Sequence, residues 1–247
     1  KSSKISKDYP VFKENYFHHI LSDNQAILQM AAKYKIKNSP MLVSIPDRVL
    51  SFNEYKLRNN KVLFMGSIGN DYDQRRKILK NLIKNKIDLE IRSRNIKDHN
   101  NKYEKITKLF FEYFSTNIKI SNFSKNPLYG LEMLKYMGNF KNIINIHSDF
   151  DKNNALNLRI FESLSQGCLL FTDSNKKMEQ YFKNEENLVI YDDQSDLIKK
   201  ISFYKENQDI ALKISKNGFD QIKKSHTTSV RLEEFKNICN IIWKIIS

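Results

Sequence analysis

Residues 141–173, KNIINIHSDFDKNNALNLRIFESLSQGCLLFTD, contain a complete strand–helix–strand pattern. The apolar run KNIINIH predicts a buried strand, and CLLFTD predicts a second one. Between them, NALNLRIFESLSQG predicts a helix that begins near Ala155 and is stopped by Gly167. Two strands joined through a helix run parallel, because the crossover returns the chain to the same end of the sheet. This stretch therefore predicts a βαβ unit and an α/β fold.

The same alternation of short apolar runs and helical patterns extends in both directions from this unit. Upstream, KVLFMGSIG and IDLEIRS predict strands around the helix DQRRKILKNLIKN, followed by a helix YEKITKLFFEYF, a weak strand NIKIS and a helix PLYGLEMLKYM begun by Pro127. Downstream, we expect a short helix KKMEQYF, a strand NLVIY, and three amphipathic helices, SDLIKKISFYKEN, DIALKISKNGFDQIKKS and SVRLEEFKNICNIIWKII. This rhythm predicts a Rossmann-like, doubly wound parallel sheet.

The N-terminal region has a different pattern. SDNQAILQMAAKY predicts an amphipathic helix, and NSPMLVSIPDRV predicts a short apolar strand between Pro40 and Pro46. A polar linker follows through Asn60. We predict three parts: a linker or remnant of a preceding domain at 1–60, a Rossmann-like domain at 61–226, and a C-terminal amphipathic helix at 227–247.

Composition and charge limit the function classes. The chain has 247 residues, of which 40% are hydrophobic, so it can bury a core without metals or disulfides. Lys and Arg number 42 against 28 Asp and Glu, giving a net charge of +14. Such a surplus suits nucleic acid or an anionic membrane surface. The lysines are scattered without a dense basic cluster, so we favour compositional bias and expect no nucleic-acid partner.

Membrane-spanning, secreted and zinc-binding proteins are disfavoured by features that the sequence lacks. No window approaches the ~20 apolar residues of a membrane span, and KSSKISKDYP has no signal-peptide core. The chain has no initiator Met, so we expect a processed product or a fragment. Cys168 and Cys239 lie in apolar runs and are expected to be buried free thiols in a reducing cytoplasm. Five histidines without metal-ligand spacing make a zinc site improbable.

In an open parallel sheet, ligands bind at the carboxyl ends of the strands. The turn Gly66-Ser67-Ile68-Gly69 follows the first strand of the predicted domain and precedes a helix. Its glycines allow close approach of a ligand, and its free N–H groups suit phosphate. The sequence is not GxGxxG, which disfavours a nicotinamide or flavin site. The alternative is ordinary turn chemistry.

A stronger cluster follows the strand KNIINIH. Asn157 precedes Arg159 and Glu162, which are three residues apart and share a helix face. The Arg159 guanidinium can hold a diphosphate, and the Glu162 carboxylate can accept two hydrogen bonds from a ribose diol. The alternative is an intrahelical ion pair on a solvated face, and the local pattern leaves both open.

NLRIFESLSQGCLLFTD resembles the R-x-F-E-x-x-x-x-G signature in the donor-binding half of GT-B glycosyltransferases. The nearest match is the bacterial branch of CgeB-like (spore maturation protein-like) glycosyltransferases. Other segments fall in the family's order, namely VLFMGSIGNDYDQRRKIL, KNIINIH with its final Asn-x-His, MEQYFKNEENLVIYDDQSDLIKKISFY and ALKISKNGFDQIKKSHTTSVRLEEF. The resemblance extends from Lys61 to Phe235.

The resemblance implies a transferase that uses a nucleotide-sugar donor, expected to be a UDP-sugar, bound by residues 61–226. Arg159 would neutralise the leaving diphosphate and Glu162 would hold the ribose hydroxyls, and we predict these two as the catalytic pair. The remaining donor-binding residues would be Gly66, Ser67, Ile68, Asn145, His147, Asn157 and, as a wall of the pocket, Glu179. No cofactor or metal is expected, because the family does not need the DxD-spaced pair Asp149 and Asp151.

The sequence departs from the family pattern at two points. Many retaining relatives carry a second Glu eight residues before the ribose-binding one, where this chain has Asn154, so retention or inversion stays open. Residues 1–60 are too few for the acceptor domain of a GT-B enzyme, which we expect to be missing from this chain. The acceptor, whether glycan, protein or lipid, is undetermined, and the inner face of the membrane is a possible location.

Two other function classes remain as alternatives. One is a non-catalytic nucleotide-sugar-binding or scaffolding module that keeps the fold without turnover. The other is a nucleic-acid-binding protein, which would need basic residues gathered on one face with exposed aromatics. His226, in KKSHTTSV, is expected to be either a ligand contact or, with more support, part of a linker between helices.

Overall fold

A computed structural model of the protein describes residues 19–23, 25–68, 72–93, 120–147 and 156–246. Two parallel sheets occur in these ranges. The smaller sheet contains β1 (His19–Ser22) and β2 (Lys37–Pro40), connected by helix α1 (Gln25–Lys33). The larger one contains β3 (Asn59–Met65), β4 (Leu89–Arg92), β5 (Ser124–Lys125), β6 (Phe140–Asn145), β7 (Leu169–Asp173) and β8 (Val189–Tyr191).

The order of the larger sheet is β5-β4-β3-β6-β7-β8, and every neighbouring pair is parallel. The described helices are α2 (Asp73–Lys84), α3 (Gly130–Met137), α4 (Leu158–Ser165), α5 (Gln194–Glu206), α6 (Gln208–Ser225) and α7 (Thr228–Ile246). The predicted doubly wound parallel α/β fold is confirmed. The chain enters at β3, builds outward to β5, and then returns to the other side of β3 at β6. The switch point, where such sheets bind ligands, therefore lies between the carboxyl ends of β3 and β6.

Both faces of the sheet are buried, because side chains alternate along each strand. In β3, Val62 and Phe64 pack in one core cluster, and Leu63 and Met65 in the other. The first cluster is completed by apolar residues of α2, α5 and α6, and the second by those of α3 and α4. The spacing of apolar residues within each helix accounts for this arrangement, because it places their side chains on one side of the helix. The apolar face of α4, which includes Ile160, is fully buried.

Residues 41–58, here called the connector, join β2 to β3. Two 3₁₀ helices lie within it, Asp47–Val49 and Tyr55–Leu57. The amide of Ile45 donates to the carbonyl of His226 (3.0 Å), and the amide of Thr228 donates back to Ile45 (2.9 Å). The connector is thus hydrogen-bonded to the junction between α6 and α7. The predicted domain boundaries stay predictions, although β3 begins at Asn59, two residues before the predicted start.

Several predicted element boundaries are wrong. The predicted strand between Pro40 and Pro46 is instead β2, at Lys37–Pro40, because these polar residues pair with β1 despite weak strand propensity. α3 begins at Gly130, not Pro127, since the positive φ of 55° at Gly130 turns the chain into the helix. α4 begins at Leu158, not near Ala155, because Asn157 caps it.

Four further expectations are also corrected or lie outside the described ranges. Of the predicted strand NIKIS, residues 117–119 lie outside the described ranges, and Ile120 and Ser121 begin a 3₁₀ helix, Ile120–Phe123. β5 follows this helix, because Ser124 pairs with Ile91 of β4. The segment KKMEQYF contributes only a 3₁₀ helix, Met178–Gln180. The predicted helix YEKITKLFFEYF lies outside the described residues. Both cysteines are free as expected, but only Cys168 is buried, because Cys239 lies on an exposed part of α7.

The first prediction concerns Gly167, which ends α4 with a φ of 62°. A Cβ there would lie 2.2 Å from Cδ2 of Phe52, whereas a Cβ on Gly130, which has a similar φ, would meet nothing within 4 Å. Gly130→Ala should therefore cost about 1–2 kcal/mol of unfolding free energy from backbone strain alone. Gly167→Ala should cost about 1–3 kcal/mol more, because Phe52 must move.

Urea unfolding of the two single variants measures this difference. Adding Phe52→Leu to Gly167→Ala should recover part of the excess loss. Equal losses for Gly130→Ala and Gly167→Ala would show that Phe52 does not pack against Gly167.

The second prediction concerns His226, which is buried in the junction between α6 and α7, as expected for a linker residue. Its ring lies 5.2 Å from those of Phe161 and Phe182, and its Nδ1 accepts from Nη2 of Arg231 at 2.9 Å. Burial, together with the Arg231 charge, lowers the pKa of His226 from 6.5 to about 4. The folded state thus favours the neutral ring.

A base whose pKa is lowered on folding stabilises the protein above its unfolded pKa, and this contribution is lost as the pH falls toward the folded value. Wild-type protein should therefore lose thermal stability between about pH 6.5 and pH 4 more steeply than His226→Gln. Melting temperatures of both proteins across this range test the difference, since other titrating groups contribute to both curves. Parallel curves would contradict the assignment.

Candidate functional site

The turn after β3 forms one wall of the switch-point crevice. The amide of Gly66 donates to the carbonyl of Arg92 at 3.1 Å, so the turn is held to the end of β4. The Gly66 N–H is therefore not free, contrary to the expectation for this turn. Ile68 is buried as a whole residue, and its side chain packs in the core. Ser67 is exposed, and Gly69 lies outside the described residues.

Arg75 of α2 joins this turn to the end of β6. Its Nη1 donates to the carbonyl of Ser67 (3.1 Å), and its Nε donates to the carbonyl of Ile146 (2.9 Å). The guanidinium also lies 4.4 Å from the centre of the Tyr72 ring. Because Ser67 follows β3 and Ile146 follows β6, Arg75 fixes the two loops on either side of the switch point.

A chain of polar side chains connects β7, β6 and α4. Asn145, the last residue of β6, donates from Nδ2 to Oγ1 of Thr172 in β7 (3.0 Å). Its Oδ1 accepts from Nδ2 of Asn157 at 2.8 Å, and Oδ1 of Asn157 accepts from the amide of Arg159 at 2.9 Å. Asn157 is therefore both the N-cap of α4 and its attachment to the sheet. The predicted residues Asn145 and Asn157 are in direct contact.

His147 and Asp173 form a buried pair beside this chain. Oδ1 of Asp173 lies 2.7 Å from Nδ1 of His147 and accepts from the His147 amide at 2.9 Å. A carboxylate at Nδ1 holds the proton on that nitrogen, which leaves Nε2 of the neutral ring as an acceptor. Nε2 is buried and has no hydrogen-bond partner among the described residues. The ring is thus oriented through one nitrogen only.

Arg159 and Glu162 form an ion pair at the start of α4. Nη1 of Arg159 lies 2.7 Å from Oε2 of Glu162, and the two side chains are only 20% and 12% exposed. Burial raises the pKa of Glu162 against the opposing effect of Arg159, and it lowers the pKa of the guanidinium. Nη1 also contacts Sδ of Met133 in α3, at 2.9 Å. The pair is therefore mostly desolvated, and the alternative of a solvated surface pair is excluded.

Glu179 lies apart from this group. It is exposed on the 3₁₀ helix after β7, and its Oε1 accepts from Oγ of Ser174 at 2.6 Å. Ser174 and Asp173 line a cleft of about 300 Å³ at the ends of β7 and β8. The cleft is also lined by Gln74, Ile78, Tyr191, Asp192, Asp193 and Gln194. The structure thus brings Asn145, Asn157 and Arg159 together by direct bonds and places Glu179 at the rim of a neighbouring cleft.

Sequence reasoning missed two residues that organise the crevice, Arg75 and Asp173. Asp173 could have been found from the sequence, because it is the last residue of the predicted strand CLLFTD and so lies at the carboxyl end of the sheet, where ligands bind. The role of Arg75 could not have been found in this way, because its two carbonyl partners come near it only through the three-dimensional positions of the loops. Within the described ranges, no helix is long and apolar enough to cross a membrane. The same ranges contain no group of three or more side chains suited to a metal ion.

The third prediction tests the buried pair. Asp173→Ala leaves the His147 amide and its ring nitrogen without their shared acceptor, so it should cost about 2–4 kcal/mol of unfolding free energy. Asp192→Ala is the matched control, because Asp192 lines the same cleft but is exposed. It should change stability by less than about 0.5 kcal/mol. Urea unfolding measures both, and a loss at Asp173 no larger than that of the control would contradict the pairing.

Solved structures resemble this chain at low sequence identity. A glycosyltransferase from Rickettsia africae has a TM-score of 0.65 at 16% identity, with 92% of this chain and 64% of that chain covered. HepE of Anabaena in complex with UDP-glucose has a TM-score of 0.64 at 8% identity, with coverages of 90% and 64%. The C-terminal domain of a group 1 family glycosyl transferase (LpcC) from Francisella tularensis has a TM-score of 0.51 at 13% identity, with coverages of 74% and 99%.

These likenesses establish the fold, which is that of GT-B glycosyltransferase domains. The chain spans 64% of the length of the first two structures, which is less than two thirds. No curated protein matches the chain by sequence. A family model described as glycosyl transferase-like matches residues 75–237, which include most of α2, the polar chain and the Arg159–Glu162 pair. Because this match covers more than half of the sequence, the chain belongs to the glycosyl transferase-like family.

Proposed function

We propose that this chain contains the donor-binding domain of a glycosyltransferase that transfers a sugar from a nucleoside diphosphate sugar to an acceptor. The observation that carries the proposal is the desolvated Arg159–Glu162 pair, placed by Asn157 at the carboxyl edge of a switch-point sheet. A buried ion pair seldom adds net stability, because the desolvation of both charges offsets their attraction. A ligand that uses both groups accounts for its presence here.

Arg159 supplies positive charge for the leaving group. When the bond between the anomeric carbon and the phosphate oxygen breaks, the electron pair stays on the diphosphate, whose negative charge increases. A fixed guanidinium in a partly desolvated crevice stabilises this charge without reorganising. The exposed Ser67, in the turn of residues 66–68, would provide its backbone N–H to the same phosphates, with Gly66 allowing their close approach. We therefore propose that no metal ion is required.

Glu162 would hold the ribose of the donor. A carboxylate accepts two hydrogen bonds, and the vicinal 2′- and 3′-hydroxyls of a ribose supply two donors at matching spacing. Burial raises the pKa of the Glu162 carboxyl, and the charge of its partner Arg159 opposes this effect. The remaining proposed contacts are Asn145 and His147, beside the sugar or the diphosphate, with Asn157 at the helix start and Glu179 as an outer wall.

We propose a UDP-sugar as the donor and a hexosyl group as the cargo, in an enzyme of the CgeB-like branch. HepE, whose fold this chain shares, has been solved with UDP-glucose and with UDP and glucose. The sequence motif R-x-F-E-x-x-x-x-G, at Arg159 to Gly167, supports the branch. Free Cys168 and Cys239 support a reducing compartment such as the cytoplasm, or the inner face of its membrane.

The acceptor site would lie on a preceding domain, outside this chain. Within the described residues, the β1-α1-β2 unit is a parallel crossover of two strands, whereas parallel sheets are normally larger and covered on both faces. This supports residues 1–60 as a remnant of that domain, 61–226 as the donor domain and 227–247 as a C-terminal helix. The acceptor itself would be a glycan, a protein or a lipid.

The fourth prediction tests the donor site by calorimetry with UDP, GDP and dTDP. UDP should bind best to the wild-type chain. Arg159→Ala should weaken UDP binding about 10- to 100-fold, because it removes a charge-assisted hydrogen bond to the diphosphate. The matched control is Arg76→Ala, which removes an arginine with the same i,i+3 spacing to a carboxylate but on an exposed face of α2. Arg76→Ala should leave UDP affinity unchanged.

The role of Glu162 has its own readout in the same experiment. Wild-type protein should bind UDP more tightly than 2′-deoxy-UDP, and Glu162→Gln should lose most of this preference because an amide cannot accept from both hydroxyls equally. No binding of any of the three diphosphates at millimolar concentration would overturn the proposed function. Binding without sugar transfer by the full-length enzyme would favour the non-catalytic module instead.

A further inference from the structure

We propose that Arg58, at the end of the connector, is a positioning residue for the donor site. It would set the orientation of α4 from the carboxyl end of that helix and thereby place Arg159 and Glu162 at the other end. This inference rests on the proposed function, since the pair it positions is the proposed nucleotide-binding pair. Arg58 itself touches neither member of the pair and is not proposed to contact the ligand.

The guanidinium of Arg58 binds the last carbonyl groups after α4. Nη1 donates to the carbonyl oxygens of Gln166 at 3.1 Å and of Gly167 at 2.6 Å. Nη2 donates to the carbonyl of Asn53, within the connector, at 2.8 Å. One planar group thus joins the connector to the end of α4 through three carbonyl oxygens. The partial negative charge at a helix C-terminus favours a cation at this place.

The burial of Arg58 shows that these contacts are its principal interactions. The residue is only 6% exposed, and within the described ranges no carboxylate lies within ion-pair distance of it. Burial lowers the pKa of Arg58, although a guanidinium stays protonated in proteins. Its charge is therefore offset by the three carbonyl dipoles and by the Phe52 ring, whose centre lies 5.0 Å away.

Other parts of the connector hold the same end of α4. The amide of Ser51 donates to the carbonyl of Ser165 at 3.1 Å, and Nε2 of Gln166 donates to the carbonyl of Val49 at 2.9 Å. Phe52 lies directly against the Cα of Gly167. Because these contacts share one segment with Arg58, the end of α4 and the connector move together.

The length of α4 makes its orientation sensitive to this attachment. The helix has eight residues, so its axis is only about 12 Å long. Asn157 fixes one end to β6 and Arg58 fixes the other end to the connector. A short rigid helix held at two ends has a defined rotation about its axis, and that rotation decides where the Arg159 and Glu162 side chains lie. Release of one end would leave the other as a pivot.

A lysine at position 58 keeps the charge but has a single nitrogen, which cannot serve carbonyl groups on both segments with the geometry of a guanidinium. Arg58→Lys should therefore weaken UDP binding about 3- to 30-fold, the range seen when residues away from a ligand alter its site. Hydrogen exchange of the α4 amides should also accelerate. Phe52→Leu, which removes the stacked ring, is a milder second variant and should change both readouts in the same direction.

The control is Leu82→Ala, a buried change in α2 that does not contact α4 and belongs to the other core cluster. It should lower the melting temperature while leaving UDP affinity and α4 exchange at wild-type values. A mutant cycle adds the decisive comparison, since Arg58→Lys in a background that carries both Arg159→Ala and Glu162→Gln should cause little further loss of UDP affinity. Additive losses would show that Arg58 does not act through the Arg159–Glu162 pair.

The outcomes separate this inference from the proposed function. If wild-type protein binds UDP and both Arg58→Lys and Phe52→Leu bind it equally well, the positioning role is wrong and the donor site stands. If wild-type protein binds no nucleoside diphosphate, the proposed function fails, and the role of Arg58 in nucleotide binding fails with it. Unchanged α4 exchange in Arg58→Lys would overturn the attachment itself, independently of any ligand.

Discussion

The hydrogen bonds of Asn157 determine where α4 begins and where it is attached. One oxygen caps the amide of Arg159, and the amide nitrogen of the same side chain binds Asn145 at the end of β6. A capping residue normally satisfies only its own helix. Here the cap also joins the helix to the strand, so the Arg159–Glu162 pair, the carboxyl edge of the sheet and the N-terminus of α4 keep one relative arrangement.

Most polar groups of the crevice are paired with one another, although Nε2 of His147 has no partner among the described residues. Asp173 holds His147, Thr172 holds Asn145, and Glu162 holds Arg159. Buried polar groups destabilise a protein unless they are paired, so such a network is stable only in its complete form. Under the proposed function, the site is preorganised, since a donor would meet side chains that already have fixed orientations.

The sequence was sufficient to predict the parallel sheet and the common helix face of Arg159 and Glu162. It was not sufficient to predict the residues that hold them in place. Strand and helix patterns predict the parallel fold because periodicity depends on local burial, and the spacing of Arg159 and Glu162 predicts their common face. The start of α3 was not predictable, because the positive φ of Gly130 decides it and Pro127 gives a stronger local signal. The role of Arg58 was not predictable for another reason, because its partners are backbone carbonyls that no sequence pattern indicates.

The two cysteines differ in burial, and this difference allows selective labelling. The Cys168 thiol is fully buried, and burial raises its pKa to about 12, so it holds almost no thiolate at neutral pH. Cys239 is exposed on α7. Since the sequence contains two cysteines in all, a thiol-selective fluorophore or spin label should attach at one position without any substitution. The native chain therefore carries its own attachment point for spectroscopy on its last helix.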